Sequence, residues 1–295
     1  MNETLAVLVA SHDRRESTLQ ALARLERAVQ HAGIDATVYL VDDGSTDGTA
    51  DAVQARFPSV QLTRHPGGLY WCRAMHLAWT RARPQRHAWT LWLNDDTLLD
   101  PEALVAPLAL ARQAVQAGRP SIVVGATRDA ATGALTYGGL ALLRPWHPTR
   151  TRRVPPTAEP QACDTMNGNF VLVPEAVADR LGLIDPRFEH AMGDLDYGLR
   201  ARRAGIPVLL CPGFVGSCSR NPRRGSFEDR TLGLARRWRL MMAPKGLPWR
   251  SWLLLTRRHA GAWWPLLFAW PYLRLVASGL RGARAPAEQR GPAHG

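Results

Sequence analysis

Two adjacent carboxylates follow a strongly apolar run early in the chain. The run AWTLWL is followed by Asn94, Asp95 and Asp96. Two neighbouring carboxylates in a cleft repel each other unless a cation lies close to them. Mg²⁺ or Mn²⁺ prefers oxygen ligands and bridges the oxygens of a diphosphate, so the triplet predicts a divalent-cation site. The alternative is an acidic cap for the helix that is expected to begin at Pro101.

A second acidic cluster, DDGSTD, begins with Asp42 and Asp43 after another apolar run. Carboxylates at the end of a strand can accept hydrogen bonds from a nucleobase N–H or from ribose hydroxyls. The same residue types are also common in turns and at helix starts, where Ser45 or Thr46 would be the cap. The cluster therefore predicts either a nucleoside contact or a capped turn.

The segments that must position these acids alternate between strand-like and helix-like patterns over residues 5–128. LAVLVAS, ATVYLVDD, VQLTR, AWTLWLNDD and SIVVGA are the strand-like runs. This alternation predicts a doubly wound, mostly parallel α/β sheet. Ligands of such sheets bind outside the carboxyl ends of the strands. Ser11, the Asp42 cluster and the Asp95 cluster all fall at such ends, which predicts one site there.

The pair VDDGSTDGTA and LWLNDDT, about fifty residues apart, resembles the paired signatures of the family 2 glycosyltransferases of GT-A fold. The resemblance implies an inverting transferase that uses a nucleotide-diphosphate sugar, with UDP, dTDP and GDP all possible. It implies that Ser11, Asp42 and Asp43 hold the nucleoside. It also implies that Asp96 binds the Mg²⁺ or Mn²⁺ ion and that Asp95 lies near the ribose or donor sugar. Asn94 stands where the first acid of the family triplet occurs.

Further segments resemble this family up to about residue 220. GGLYWCRAM is similar to a nucleotide-side segment, in which Gly68 permits close backbone approach and Arg73 faces the diphosphate; the alternative for Arg73 is a solvated helix position. MNGNFVLVP resembles the acceptor-face strand, with Gly168 and Asn169 on the acceptor side.

IDPRFEHAMGDLDYGLRARRAG resembles the segment that supplies the catalytic base. Many relatives have Glu where this chain has Gly193, while Asp194 and Asp196 remain. The resemblance implies that Asp194 is the general base, with Asp196 in reserve and bonded to Arg200 one helical turn on. Both acids are also suitable helix caps.

Cys218 stands where many relatives have an extra metal-binding His. The thiol is either a third ligand or a buried structural group. None of the four cysteines forms a CxxC pair, which is consistent with a reducing cytosol. The segment MNETLAVLVASHDRR has no basic stretch before its apolar run, so a first strand is expected here and not a signal peptide.

The charge of the chain is concentrated at one end. The net charge is +12, and residues 219–295 contain 15 basic and three acidic residues together with six of the eleven Trp. We expect a GT-A domain at 1–218, with a nucleotide-sugar half at 1–128 and an acceptor half at 129–218. The basic, Trp-rich helical extension at 219–295 resembles that of bacterial rhamnosyl- and galactosyltransferase-like members.

Arginines interleaved with Trp and Leu favour an anionic membrane surface over nucleic acid as the partner of this extension. The most apolar stretch, His259–Leu273, contains two prolines and is too short for an ordinary membrane span. We therefore expect a cytoplasmic enzyme at the inner face of the membrane, acting on a glycan or lipid-linked acceptor in cell-surface glycan synthesis. The alternative is a helical segment that packs on the protein core.

Two other functions compete with a transferase. A nucleotidyltransferase usually has a Gly-rich loop after its first strand, and SHDRREST contains no Gly. A non-catalytic transferase-like fold that acts in binding or assembly would explain the missing Glu and His. The retained acids at positions 42, 43, 95, 96, 194 and 196 argue against it.

Overall fold

The structure, a computed structural model, describes residues 3–219 and 225–283. Residues 220–224 and 284–295 of the predicted C-terminal extension lie outside the described residues. The chain divides into two compact units, Met1–Asn221 and Pro222–Gly295.

The first unit contains strands and helices in alternation. Its strands are β1 (Thr4–Ser11), β2 (Asp35–Asp43), β3 (Gln61–His65), β4 (Trp89–Leu93), β5 (Leu98–Leu99), β6 (Ile122–Arg128), β7 (Leu135–Tyr137), β8 (Gly139–Leu142), β9 (Thr151–Arg153), β10 (Gln161–Cys163), β11 (Thr165–Met166), β12 (Phe170–Pro174) and β13 (Val208–Ser217). Its helices are α1 (Arg15–Ala32), α2 (Thr49–Arg56), α3 (Tyr70–Ala82), α4 (Val105–Gln116), α5 (Glu175–Leu181) and α6 (Gly193–Arg203), with a 3₁₀ turn at Arg83–Gln85.

The main sheet has the strand order β10-β13-β6-β12-β4-β1-β2-β3, with β5 pairing with β13 and β7 with β6. β3, β2, β1, β4, β6 and β13 run in one direction, and β12 lies antiparallel between β4 and β6. The predicted mostly parallel α/β sheet is thus confirmed. A second sheet of order β11-β8-β9 pairs its strands antiparallel.

Both faces of the main sheet are covered by helices. Leu5, Val7 and Val9 of β1 belong to a core cluster that includes the apolar positions of α1 and α4. On the other face, Trp79 of α3 and Trp92 of β4 have ring centroids 5.5 Å apart, and Tyr197 of α6 packs against both. The continuous apolar runs of the strands follow from this, because side chains alternate between two buried faces.

Several boundaries differ from the predicted ones. The helix expected to open at Pro101 begins at Val105, after a turn. Neither Ser45 nor Thr46 caps α2, because the N-cap position is Gly48, and the preceding Asp47 side chain accepts from the Thr49 amide at 3.0 Å. The Pro- and Arg-rich stretch between β8 and β10 contains the short strand β9. The last strand extends to Ser217 through Gly213 and Gly216, whose positive φ angles permit the irregular pairing with β6.

The second unit contains α7 (Leu234–Met242), α8 (Trp249–His259), a 3₁₀ turn at Gly261–Trp263 and α9 (Trp264–Ala283). The indole N–H of Trp252 donates to the Phe268 carbonyl at 3.1 Å, and the Tyr272 hydroxyl donates to the Leu247 carbonyl at 3.0 Å. These bonds connect α9 to α8 and to the loop that precedes α8. Among the described residues, no helix is long and apolar enough to span a bilayer.

Candidate active site

Several of the predicted residues meet at the carboxyl edge of the main sheet. Ser11 ends β1 and is the register partner of Asp42 at the end of β2. The amide of Asn94, after β4, donates to the carbonyl of Asn169, before β12, at 3.3 Å. Because β12 runs opposite to β4, its start lies at the same edge as the end of β4. The antiparallel strand therefore brings the predicted acceptor-side segment to the nucleotide side.

Asp43 holds the glycine loop between β3 and α3. Its Oδ1 accepts from the Leu69 amide at 2.9 Å and its Oδ2 from the Tyr70 amide at 2.7 Å. Gly68 lies in this loop with φ +85°. A Cβ on Gly44 would come within 2.8 Å of the Gly67 Cα, so the two loops pack backbone to backbone. Asp43 thus positions the loop that follows β3.

Asp42 has a buried oxygen to which no described residue donates a hydrogen bond. Its Oδ2 accepts from the Ser45 amide at 3.3 Å. Its Oδ1 is buried and accepts no hydrogen bond from the described residues. A buried carboxylate oxygen without a donor is costly, and such an atom in a native structure indicates a function or a missing ligand.

The acidic pair after β4 has a cation of its own. Nη1 of Arg14 lies 2.6 Å from Oδ2 of Asp96 and 3.5 Å from Oδ1 of Asp95. Burial raises the pKa of Asp95 to about 6; the charge of Arg14 lowers it and that of Asp96 raises it further. The Ser17 hydroxyl fixes the Asp95 backbone by donating to its carbonyl at 2.8 Å. Sequence reasoning missed Arg14, and its signal was a basic residue in the short turn between the first strand and the first helix.

Cys218 contacts the same acidic pair from the end of β13. Its thiol donates to Oδ1 of Asp96 at 3.4 Å and accepts from the side-chain amide of Asn169 at 3.4 Å. Burial raises the pKa of this thiol to about 12. Asn169, predicted on the acceptor side, therefore reaches the predicted metal ligand through a neutral thiol.

Trp71 bridges the nucleotide and acceptor segments. Its indole N–H donates to Oδ1 of Asn94 at 2.8 Å. A Cβ on Gly168 would lie 2.5 Å from Cη2 of the same indole, so only glycine permits this packing. Sequence reasoning named both contacts of Trp71 but not the tryptophan between them.

Asp194 lies at the start of α6 and faces Gly168. Its Oδ2 accepts from the Gly168 amide at 3.0 Å and its Oδ1 from the Leu195 amide at 2.8 Å. Burial raises the pKa of this carboxyl, and the two amide bonds counteract part of that rise. The carboxylate is thus held in place and has a raised proton affinity, which suits a general base.

Asp196 has a different environment. Its side chain is fully buried, and its Oδ2 accepts from Nε of Arg200 at 2.9 Å, as expected from the sequence. Arg200 also donates to the carbonyls of Leu181 and Leu183. The pair joins α6 to the segment after α5, which is a structural role.

Gly193, which replaces the family Glu, is required by its neighbour. A Cβ at this position would overlap Sγ of Cys72 and lie 3.4 Å from the end of Ile184. The small residue and the cysteine on α3 therefore fit each other.

Arg73 is hydrogen-bonded to the segment between α5 and α6. Its Nε donates to the Pro186 carbonyl at 3.1 Å, and its Nη2 to Glu189 at 3.2 Å. It links α3 to the segment before α6.

Asp95 and Asp96 are suited to a divalent cation whose remaining ligands come from a bound phosphate and water. Asp95 and Asp96 provide hard carboxylate oxygens, and Mg²⁺ and Mn²⁺ are commonly held by one or two carboxylates with substrate phosphates and water. Among the described residues, no group of three or more His, Cys, Asp or Glu side chains could hold a metal by itself. The set is therefore suited to a cation that arrives with a diphosphate, in competition with Arg14.

Solved structures of similar fold are glycosyltransferases. The fold is similar to that of GalNAc-T7 with UDP, GalNAc and Mn²⁺, at TM-score 0.56 and 14% identity, covering 75% of this chain and 45% of that chain. It is also similar to a mannosyltransferase from Pyrobaculum calidifontis with GDP-Man and Mn²⁺, at TM-score 0.52 and 16% identity, covering 97% and 77%. A third similar fold is TarS 1–349 of S. aureus, at TM-score 0.54 and 12% identity, covering 95% and 71%. The chain has the GT-A glycosyltransferase fold.

The sequence gives the family. Residues 3–239 match the family described as glycosyltransferase like family 2, and the chain belongs to this family. It is 24% identical over 292 residues to N-acetylglucosaminyl-diphospho-decaprenol L-rhamnosyltransferase of Mycobacterium tuberculosis, covering 92% of this chain and 89% of the relative. The predicted family and enzyme class are therefore confirmed, and the protein is a glycosyltransferase.

Proposed function

We propose that this protein transfers a sugar, with inversion, from a nucleotide-diphosphate sugar to a hydroxyl of a lipid-linked acceptor at the inner face of the membrane. The observation that carries the proposal is the short connection between two sets of carboxylates. Asp96 contacts Cys218, which contacts Asn169, while the neighbouring Gly168 amide contacts Asp194. The candidate cation ligand and the candidate base are thus connected through the neighbouring residues Gly168 and Asn169.

The nucleoside is recognised by the carboxyl ends of β1 and β2. The unpartnered Oδ1 of Asp42 accepts a donor from the base or ribose, which removes the cost of its isolation. Asp43 contributes indirectly, because both of its oxygens hold the glycine loop. The diphosphate lies against Asp95 and Asp96, which would hold a Mg²⁺ or Mn²⁺ ion, and such an ion would supply positive charge to the leaving nucleotide.

Asp194 takes the proton of the acceptor hydroxyl. As that oxygen forms a bond to the anomeric carbon, the bond from this carbon to the diphosphate oxygen breaks. The nucleoside diphosphate leaves with the bonding electrons, and the carboxylate of Asp194 keeps the proton. The amides of Gly168 and Leu195 hold the carboxylate during this step.

The lipid-linked acceptor is supported by the C-terminal unit. Trp263, Leu266, Trp270 and Leu273 recur at helical spacing around the start of α9, and we call them the apolar stripe. They are 53–66% exposed. Exposed Trp and Leu beside many arginines fit the interface of an anionic bilayer. The named substrate of the mycobacterial relative is itself a lipid diphosphate sugar.

A donor screen tests the transferase reaction. Purified protein is incubated with UDP-, dTDP- and GDP-sugars, with Mn²⁺ or with EDTA, and release of nucleoside diphosphate is measured with and without an isoprenyl-diphosphate sugar acceptor. We expect one donor to react, dependent on the cation and lost in Asp96→Asn. Asp51→Asn is the matched control, because Asp51 is an exposed carboxylate on α2. Release that is insensitive to EDTA and to Asp96→Asn contradicts the site assignment.

Flotation with liposomes tests the membrane location separately. We expect binding to anionic but not to neutral vesicles at low salt, weakened by 0.5 M salt and by Trp270→Ser. Equal recovery with both vesicle types, or none with either, contradicts it. If Trp270→Ser instead converts a dimer to a monomer without affecting flotation, the stripe is an interface between two copies.

A further inference from the structure

The C-terminal unit contains a cavity of about 420 Å³ between α7, α9 and the loop before α7. Three arginines line it: Arg230 from the loop, Arg237 from α7 and Arg274 from α9. Glu228 is the one acidic side chain in its lining among the described residues. Three cations facing one cavity repel one another unless an anion enters, so the excess charge points to a negatively charged ligand.

Arg237 is the buried member of the three arginines. Its side chain is buried, at 8% exposure, yet it forms no ion pair with a described Asp or Glu. Its Nε donates to the Phe227 carbonyl at 2.9 Å and its Nη1 to the Ser278 hydroxyl at 3.1 Å. A guanidinium has five N–H donors, so these two bonds leave donors for a ligand. Burying a charge without a counter-ion is costly unless a ligand compensates.

The chemistry of the lining selects an organic phosphate. A guanidinium matches the oxygens of a phosphate with paired donors, and two or three arginines together are typical of phosphate recognition. Phe227, Met241 and Leu275 add apolar walls to the cavity, whose other lining residues are Glu228, Pro271 and Ser278. A cavity of this volume is within the range of small-ligand sites. An amphiphile with a phosphate head suits such walls better than a free inorganic ion.

The position of the cavity on α9 indicates a lipid as the source of that phosphate. Arg274 lies one helical turn after Trp270 and directly follows Leu273 in the sequence, so the cavity borders the apolar stripe. A lipid seated with its chain along the stripe would bring its head group to the arginines. We infer that this cavity, the arginine pocket, binds the phosphate head group of an anionic lipid. The inference rests on the membrane location proposed above.

Vesicles of matched charge provide the test. The full-length protein is titrated with phosphatidylcholine vesicles that carry the same surface charge from either phosphatidic acid or oleate. We expect a clear preference for phosphatidic acid. The double variant Arg230→Gln/Arg274→Gln changes two exposed side chains, and we expect it to bind phosphatidic acid vesicles at least about tenfold more weakly and to lose the preference.

The control is Arg236→Gln/Arg239→Gln. It removes the same charge from exposed positions, on α7 and outside the pocket lining. We expect it to keep the preference for phosphatidic acid. Equal weakening by both double variants means diffuse attraction and overturns the pocket, as does equal binding to both vesicle types by the wild type. Arg237→Met, checked for its melting temperature, is expected to resemble the pocket variant.

Soluble probes distinguish the source of the phosphate. We expect geranyl diphosphate to compete with phosphatidic acid vesicles at lower concentration than inorganic pyrophosphate does. Equal competition by pyrophosphate overturns the lipid assignment. Nucleoside diphosphate release without acceptor is measured on every variant. A wild type that shows no vesicle preference but normal release contradicts only the pocket, while a wild type with an intact preference but no release contradicts only the transferase site.

Discussion

Nη1 of Arg14 lies 2.6 Å from Oδ2 of Asp96, so the acidic pair after β4 is neutralised in part by the protein itself. Asp95 and Asp96 are adjacent carboxylates that repel each other unless a cation lies close to them. Arg14, in the turn between β1 and α1, is a cation that relieves this repulsion. A divalent cation that binds Asp96 therefore has to displace the Arg14 guanidinium or share the carboxylate with it.

The first prediction concerns this competition. In Arg14→Gln, we expect Mn²⁺ without nucleotide to bind more tightly than to the wild type, because Asp96 loses its competing cation. Donor binding in the presence of Mn²⁺ should weaken, because a cation beside the diphosphate is lost. Isothermal titration measures both, with Arg15→Gln as the neighbouring control. Weaker Mn²⁺ binding in Arg14→Gln would show that the arginine does not compete for this carboxylate.

The second prediction concerns pH. Burial raises the pKa of Asp95 to about 6, so this carboxyl is ionised above that pH and becomes neutral as the pH falls through it. A neutral carboxyl attracts a cation less, so Mn²⁺ affinity should fall between pH 7 and pH 5. In Arg14→Gln the fall should begin at higher pH, because the charge of Arg14 lowers the pKa. Titration across this range tests both, and an unchanged affinity at pH 5 would contradict the assignment.

The third prediction separates the two acids of α6. Asp194→Asn should reduce kcat by about 10²–10⁴-fold, the usual contribution of a general base, with little change in melting temperature. Asp196→Asn should instead destabilise the fold by about 3–5 kcal/mol, because it breaks a buried ion pair and leaves the Arg200 guanidinium without its carboxylate partner. Steady-state rates and thermal unfolding measure the contrast. Full turnover by a folded Asp194→Asn protein would remove that residue from the chemistry.

The fourth prediction concerns the replaced family Glu. Gly193→Glu should destabilise the protein by about 1–3 kcal/mol, because the new Cβ overlaps the Cys72 sulfur. Adding Cys72→Ala should recover part of this loss, since it removes the overlapping atom. Denaturant unfolding of the two single variants and the double variant gives the coupling. Additive effects would mean that the two positions do not constrain each other.

The fifth prediction concerns the four thiols. Burial raises the pKa of Cys163 to about 11 and those of Cys211 and Cys218 to about 12, and it also raises the pKa of Cys72. At pH 8 only about one thiol in 10³–10⁴ with such a pKa is the reactive thiolate. The native protein should therefore react slowly with a thiol-specific disulfide reagent, and all four cysteines should react after unfolding. Rapid labelling of Cys218 would mean that the acidic pair opens to solvent.

Part of this protein could be predicted from the sequence because the relevant interactions are local. Continuous apolar runs identify strands buried on both faces, and Ser11, Asp42 and Asp96 follow such runs directly. The carboxyl ends of parallel strands share one edge, so a site at this edge required no knowledge of the packing. The bond between Asp196 and Arg200 is equally local, because it spans one helical turn.

Other features depend on contacts between residues far apart in the chain. Arg14 meets Asp96 only because β1 and β4 are neighbours, and Asn169 reaches Cys218 only because β12 is antiparallel. The roles of Asp43 and Asp194 likewise depend on which backbone amides face their oxygens. The sequence by itself determined the fold class, the family and the edge that carries the site. Only the tertiary structure decided which carboxylate is paired, buried or open to a ligand, because burial and partners are set by long-range packing.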